Sequence, residues 1–114
     1  MAQQLTVRVA NRPGQLARVC EALAKAKINI TGLDASGRER TIRLVVGNAA
    51  RGRKALAQAG LRASVARVTV LTLTNRPGAL ARAARKIARR RKNIQYAYAT
   101  AARGTRRAAV VLGF

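Results

Sequence analysis

The tetrapeptide Asn11-Arg12-Pro13-Gly14 returns 64 residues later as Asn75-Arg76-Pro77-Gly78. Each copy gathers residue types suited to holding a small carboxylate. Gly14 and Gly78 let the backbone approach a ligand closely, and a helix opening at Pro13 or Pro77 presents unpaired N–H groups and a positive dipole end. Arg12 and Arg76 can add a charge-assisted hydrogen bond. Asn11 and Asn75 offer both a donor and an acceptor, so two asparagines can satisfy an ammonium and a carboxylate without burying a protein charge. The same residues have a plainer reading. Asn, Pro and Gly favour turns and caps, and exposed arginines usually interact weakly. On residue types alone both readings stand.

Other chemistry is poorly supplied. The acids number three, Glu21, Asp34 and Glu39, scattered along 114 residues that contain no histidine. Neither a general acid/base pair nor an ordinary nucleophile–histidine triad can be assembled from them, so no catalytic residues are expected. One cysteine, Cys20, excludes an internal disulfide, and without histidine no metal site and no cofactor are expected. Cys20 falls on an apolar helical stripe, where it reads as core. Tyr96 and Tyr98 share one face of a strand and read as packing residues.

The elements that position the two loops follow the same 64-residue register. Leu16-Ala17-Arg18 matches Leu80-Ala81-Arg82, Leu23 matches Ile87, and Asn29-Ile30 matches Asn93-Ile94. Before each loop lies a β-branched, alternating segment, Leu5 to Val9 and Val68 to Leu73, which predicts a strand. After each lies a helix, with Pro in its first turn. Leu16, Val19, Cys20 and Leu23 form one apolar stripe, and Leu80, Ala83, Ala84 and Ile87 repeat it. A second strand opens at Ile28-Asn29-Ile30, a turn follows around Gly37 and Arg38, and Thr41 to Val46 predicts a third. Asn93 to Thr100, a turn at Arg103-Gly104-Thr105, and Arg107 to Leu112 reproduce these in the second copy. The first copy adds a helix near Ala50 to Ala59, with Gly60 just past its end, and a strand from Leu61. The expected fold is α+β: a ferredoxin-like βαββαβ unit over residues 1–66 and a shortened βαββ unit over 67–114, antiparallel sheets with helices on one face. No turn signal interrupts Leu61 to Leu73, so the last strand of the first copy should run into the first strand of the second. The second sheet should have an open edge, which invites pairing with another chain as a homodimer or larger oligomer.

Strand, Asn-Arg-Pro-Gly-x-Leu, amphipathic helix, then x-Ile-Asn-Ile: over nearly the whole chain this combination resembles the ACT domain, an amino-acid-sensing module, arranged as a tandem pair. The resemblance implies a free amino acid held at an interface between units by the loop asparagine and the asparagine opening the second strand. Those are Asn11 with Asn29 and Asn75 with Asn93. It extends the set to Arg12, Gly14, Leu16 and Ile30 in the first copy and Arg76, Gly78, Leu80 and Ile94 in the second. Serine-sensing members carry a histidine two residues before the loop. Val9 and Leu73 stand there, which argues against serine.

Charge is the abnormal quantity. Twenty-four Lys and Arg give a formal net charge of +21, while a 49% hydrophobic content is enough to fold. Arg82, Arg85, Lys86, Arg89, Arg90, Arg91 and Lys92 crowd the second amphipathic helix, and Arg103, Arg106 and Arg107 the last turn. These are expected to attract nucleic acid or other polyanions without sequence preference, because aromatics are too few to stack on bases and the charge is not confined to one groove. Acids are missing even from helix starts, where they would be favourable. Two explanations are open: a positively supercharged or composition-restricted engineered variant of an ACT pair, in the extreme a scaffold with no retained ligand function, and a naturally basic protein. The N-terminal residues form no signal or transit pattern, and no apolar run approaches the 18 or more residues of a membrane span, so the chain reads as cytoplasmic.

Overall fold

In the computed structural model, residues 2–100 and 104–114 are described. They divide into two compact units, residues 2–67 and 68–114.

The first unit runs β1 (Ala2–Arg8), α1 (Gln15–Lys25), β2 (Ile30–Ser36), β3 (Thr41–Val46), α2 (Ala49–Gln58) and the opening of β4 (Ala63–Thr74), the βαββαβ order. Its strands lie in the order β2-β3-β1-β4. β3 is antiparallel to both β1 and β2, with Leu5 opposite Leu44 and Val7 opposite Ile42. The period of two sends Leu5, Val7, Ile42, Leu44 and Val46 to a single face, where they meet Val19 and Leu23 of α1 and Leu56 of α2 in one buried cluster. The opposite face of this hairpin carries Arg43, whose guanidinium bridges Asp34 at 3.1 Å and Glu39 at 3.2 Å. Two of the three acids are thereby spent on the β2–β3 hairpin.

The helices are closed by backbone geometry. Gly60 follows α2 with φ 80°, and Leu61 N donates to Leu56 O at 2.9 Å. After α1 the same left-handed position is taken by Lys27, with φ 59°, and Ile28 N donates to Leu23 O at 2.9 Å. Each helix of the pair also sends an arginine to the other's last carbonyls: Arg18 Nη2 donates to Ala59 O at 2.7 Å, and Arg51 Nη2 to Ala26 O at 2.9 Å. Cations suit that end of a helix.

The second unit contains the remainder of β4, α3 (Ala79–Arg89), β5 (Tyr96–Thr100) and β6 (Arg107–Gly113). The strands are ordered β4-β6-β5, and β5 pairs with β6 alone among the described residues. β4 is unbroken from Ala63 to Thr74, as the uninterrupted sequence requires. Tyr98 is buried, and the ring of Tyr96 covers the cross-strand Gly113, where any Cβ would collide with it. The apolar stripe of α3 behaves differently from that of α1: no α3 residue is buried, and Leu80 is 53% exposed. Periodicity marks which face of a helix is apolar; what covers it depends on the neighbours.

Candidate functional site

Both loops are shaped by their Pro-Gly pairs. Gly14 (φ 87°, ψ −3°) and Gly78 (φ 87°, ψ −15°) adopt the left-handed conformation of the third residue in a type II turn, and proline supplies the second. Ala79 N donates to Arg76 O at 3.3 Å, closing the turn in the second copy. The glycine carbonyls then accept the first helical bonds, from Arg18 N and Arg82 N, each at 3.0 Å. This corrects the expectation that the helices open at the prolines. A left-handed glycine cannot belong to a right-handed helix, so α1 starts at Gln15 and α3 at Ala79, with Pro13 and Pro77 in the turn before them.

The loop asparagines face the opposite hairpin turn of their own unit. Asn11 Oδ1 stands where a Cβ on Gly37 would be only 3.1 Å away. Asn75 Nδ2 donates to Thr105 O at 2.9 Å, with Thr105 Oγ1 at 3.5 Å, and Asn75 N donates to Arg106 O at 2.8 Å. The amide of Asn75 thus fastens its loop to the β5–β6 connection, a structural bond of the kind the plainer reading requires.

In the first unit a solvent-open hollow of about 150 Å³ lies between the loop, the start of α1 and the β2–β3 turn. Val9, Leu16, Ala35 and Ile42 give it an apolar lining. Asn11, Arg12, Gln15, Ser36 and Arg40 supply its polar groups, and no acid lines it. Arg40 has φ 54°, and its carbonyl accepts from Val9 N at 3.0 Å, tying the turn to the loop. Of these residues sequence reasoning singled out Asn11, Arg12 and Leu16. Gln15, Ser36 and Arg40 carry no motif; strand pairing brings them in.

The second asparagine of each pair is elsewhere. β1 and β2 register on β3 with Arg8 and Ser36 opposite Thr41, and with Ile30 opposite Val46. Asn11 therefore lies past one end of β3 and Asn29 past the other, separated by roughly 17 Å of strand at about 3.4 Å per residue. The second unit repeats this: Thr74 is opposite Arg107, and Tyr96 is opposite Gly113 at the far end of β6. Asn93 and Ile94 precede β5 without belonging to it, whereas Ile30 is the first residue of β2. No single unit brings a loop asparagine to the asparagine before its second strand.

The cations of the second unit do form a pattern. Arg82, Arg85, Lys86 and Arg89 recur at helical spacing along one face of α3, all exposed, and Arg90, Arg91 and Lys92 continue past its end. Arg91 sits at φ 56°, and Lys92 Nζ lies 5.1 Å from the centroid of the Phe114 ring. Gly78 packs against the Arg82 guanidinium, where a Cβ would be 3.1 Å from Nη1. Arg106 and Arg107 are exposed near the β5–β6 connection, and Arg103 lies outside the described residues. The sequence suggested cations spread without a preferred face; the helix aligns four of them.

The chain belongs to the family of ACT domain pairs, whose model matches residues 1–110. Its structure is similar to that of protein BT0572 from Bacteroides thetaiotaomicron, with 31% identity and a TM-score of 0.87 over 98% of this chain and 78% of that one. It also resembles the ligand-free regulatory subunit of aspartate kinase from Thermus thermophilus, at 19% identity and a TM-score of 0.71 over 96% of this chain and 81% of that one. Aspartokinase III of E. coli in complex with lysine and aspartate shares the fold more distantly, at 16% identity and a TM-score of 0.60, over 97% of this chain and 27% of that one. Among curated proteins no match was found. Among the described residues no helix is long and apolar enough to cross a membrane.

Proposed function

We propose that this chain is a non-catalytic regulatory module that binds a free amino acid at its Asn-Arg-Pro-Gly loops. The observation that carries the reading is the hollow beside Asn11 and Arg12, which combines an apolar lining with hydrogen-bonding groups of both kinds. Because Asn11 and Asn29 lie at opposite ends of their unit, a ligand held by both kinds of asparagine draws them from two different units, which this reading places in two copies of the chain. The active form is then a homodimer or larger assembly. Its ligand contacts come from Asn11, Arg12, Gly14 and Leu16 of one copy and Asn29 and Ile30 of another, and equivalently from Asn75, Arg76, Gly78 and Leu80 with Asn93 and Ile94. Calorimetric titration with the common amino acids, lysine and aspartate first, tests this. Saturable heat at millimolar ligand supports it; no heat from a folded sample overturns it.

A second reading is supported by the net charge of +21 and the aligned cations of α3. In it the operative activity is sequence-nonspecific binding of DNA or RNA, with Arg82 to Lys92 and Arg103 to Arg107 as contacts. We read the basic surface as altered composition on an ordinary ACT pair, with polyanion binding as its by-product. Two of the three remaining acids are those that hold the β2–β3 hairpin through Arg43, which accords with loss of acids wherever structure did not need them. Affinity for duplex DNA should fall linearly in log salt with no sequence dependence. A sequence-selective complex would contradict it.

A further inference from the structure

Resting on the reading of the Asn11 loop as a ligand site, we infer that its ligand is a small dicarboxylate or a dicarboxylic amino acid, not an amino acid with a neutral side chain. The charges around the hollow point this way. Arg12 and Arg40 both line it, Arg12 from the loop and Arg40 from the β2–β3 turn, and no acid does. The acids nearest to Arg40 in sequence, Asp34 and Glu39, contact Arg43 and do not line the hollow. A zwitterion with a neutral side chain offers one carboxylate to two guanidinium groups. It also places an ammonium beside those two cations. A second carboxylate on the ligand reverses that balance, because each guanidinium can then make its own charge-assisted bond. Charge and not size makes the distinction, since aspartate, asparagine and leucine have the same number of non-hydrogen atoms.

The test is calorimetric titration of the full chain at 150 mM NaCl with succinate, butanoate, aspartate, asparagine and leucine. Succinate should bind at least about tenfold tighter than butanoate, and aspartate than asparagine, a difference of about 1.4 kcal/mol. Arg40→Asn keeps a residue tolerant of the left-handed backbone and should abolish the preference, as should Arg12→Gln; circular dichroism confirms that both fold. Arg53→Gln, on α2 outside the hollow, should retain it. Equal binding of succinate and butanoate, or loss of the preference in Arg53→Gln as well, overturns the inference and assigns any anion affinity to the overall charge. Binding of leucine or asparagine as tight as aspartate overturns it while leaving amino-acid binding intact. Binding of succinate without any amino acid does the reverse. Heat from none of the five overturns both.

Discussion

At the scale of single residues, the left-handed backbone positions separate two kinds of glycine-like demand. Gly14 and Gly78 meet it with the residue that meets it without strain, whereas Lys27 and Arg91 meet it with long side chains at the ends of α1 and α3. An L-residue pays roughly 1–2 kcal/mol for that conformation, and glycine returns part of the gain as unfolded-state entropy. Lys27→Gly and Arg91→Gly should therefore each stabilise the protein by about 0.5–1 kcal/mol, read as a higher denaturant midpoint. Gly14→Ala and Gly78→Ala should shift it the other way. Asn75→Ala removes the bonds to Thr105 and should cost about 1 kcal/mol in the same measurement, which would identify Asn75 as a structural residue whatever it does for a ligand.

At the scale of elements, α1 and α3 descend from one pattern and end in different surroundings. α1 buries Val19 and Leu23 and exchanges helix-end arginine bonds with α2. α3 has no fully buried residue, with Ala79, Ala83 and Ile87 half-buried, and stacks like charges at i, i+3 and i+4 through Arg82, Arg85, Lys86 and Arg89. Each such pair costs about 0.2–0.5 kcal/mol at low salt. Lys86→Glu converts the pair with Arg82 and that with Arg89 from repulsive to attractive. It should stabilise the fold by about 0.5–1 kcal/mol in 10 mM salt, with the gain shrinking toward zero at 1 M. Thermal melts of the two proteins at both salt concentrations measure it; a gain independent of salt would point to helix propensity as its cause.

At the scale of the molecule, a net charge of +21 on 114 residues sets the response to solution conditions. Self-repulsion opposes the compact state, and salt screens it over a Debye length of about 10 Å at 0.1 M. The melting temperature should rise as NaCl increases from 10 to 500 mM, while retention on immobilised duplex DNA falls over the same interval. Light scattering at high salt, where polyanion bridging is suppressed, then reads the mass of the assembly; a monomer at the concentration where amino acids bind would remove the need for a second copy at the ligand site.

Features local in the chain were legible without the fold: the 64-residue repeat, the strand–loop–helix–strand order, the apolar stripes, the end of α2 at Gly60 and the turn-forming Pro-Gly pairs. These depend on backbone preferences and on periods of two and 3.6 residues, which a linear reading can follow. Even there the prolines misplaced the helix starts, since only the φ of the following glycine decides whether proline stands in the first helical turn or in the turn before it. The surroundings of the Asn-Arg-Pro-Gly loops came from tertiary structure. Strand register carried Asn29 to the far end of β3 from Asn11, set Arg40 and Ser36 beside Asn11, and joined Asn75 to Thr105, while Leu80 of the α3 stripe stayed exposed. The reason is physical: residues tens of positions apart become neighbours through hydrogen-bonded pairing between strands, and no local pattern records which partner a strand will find.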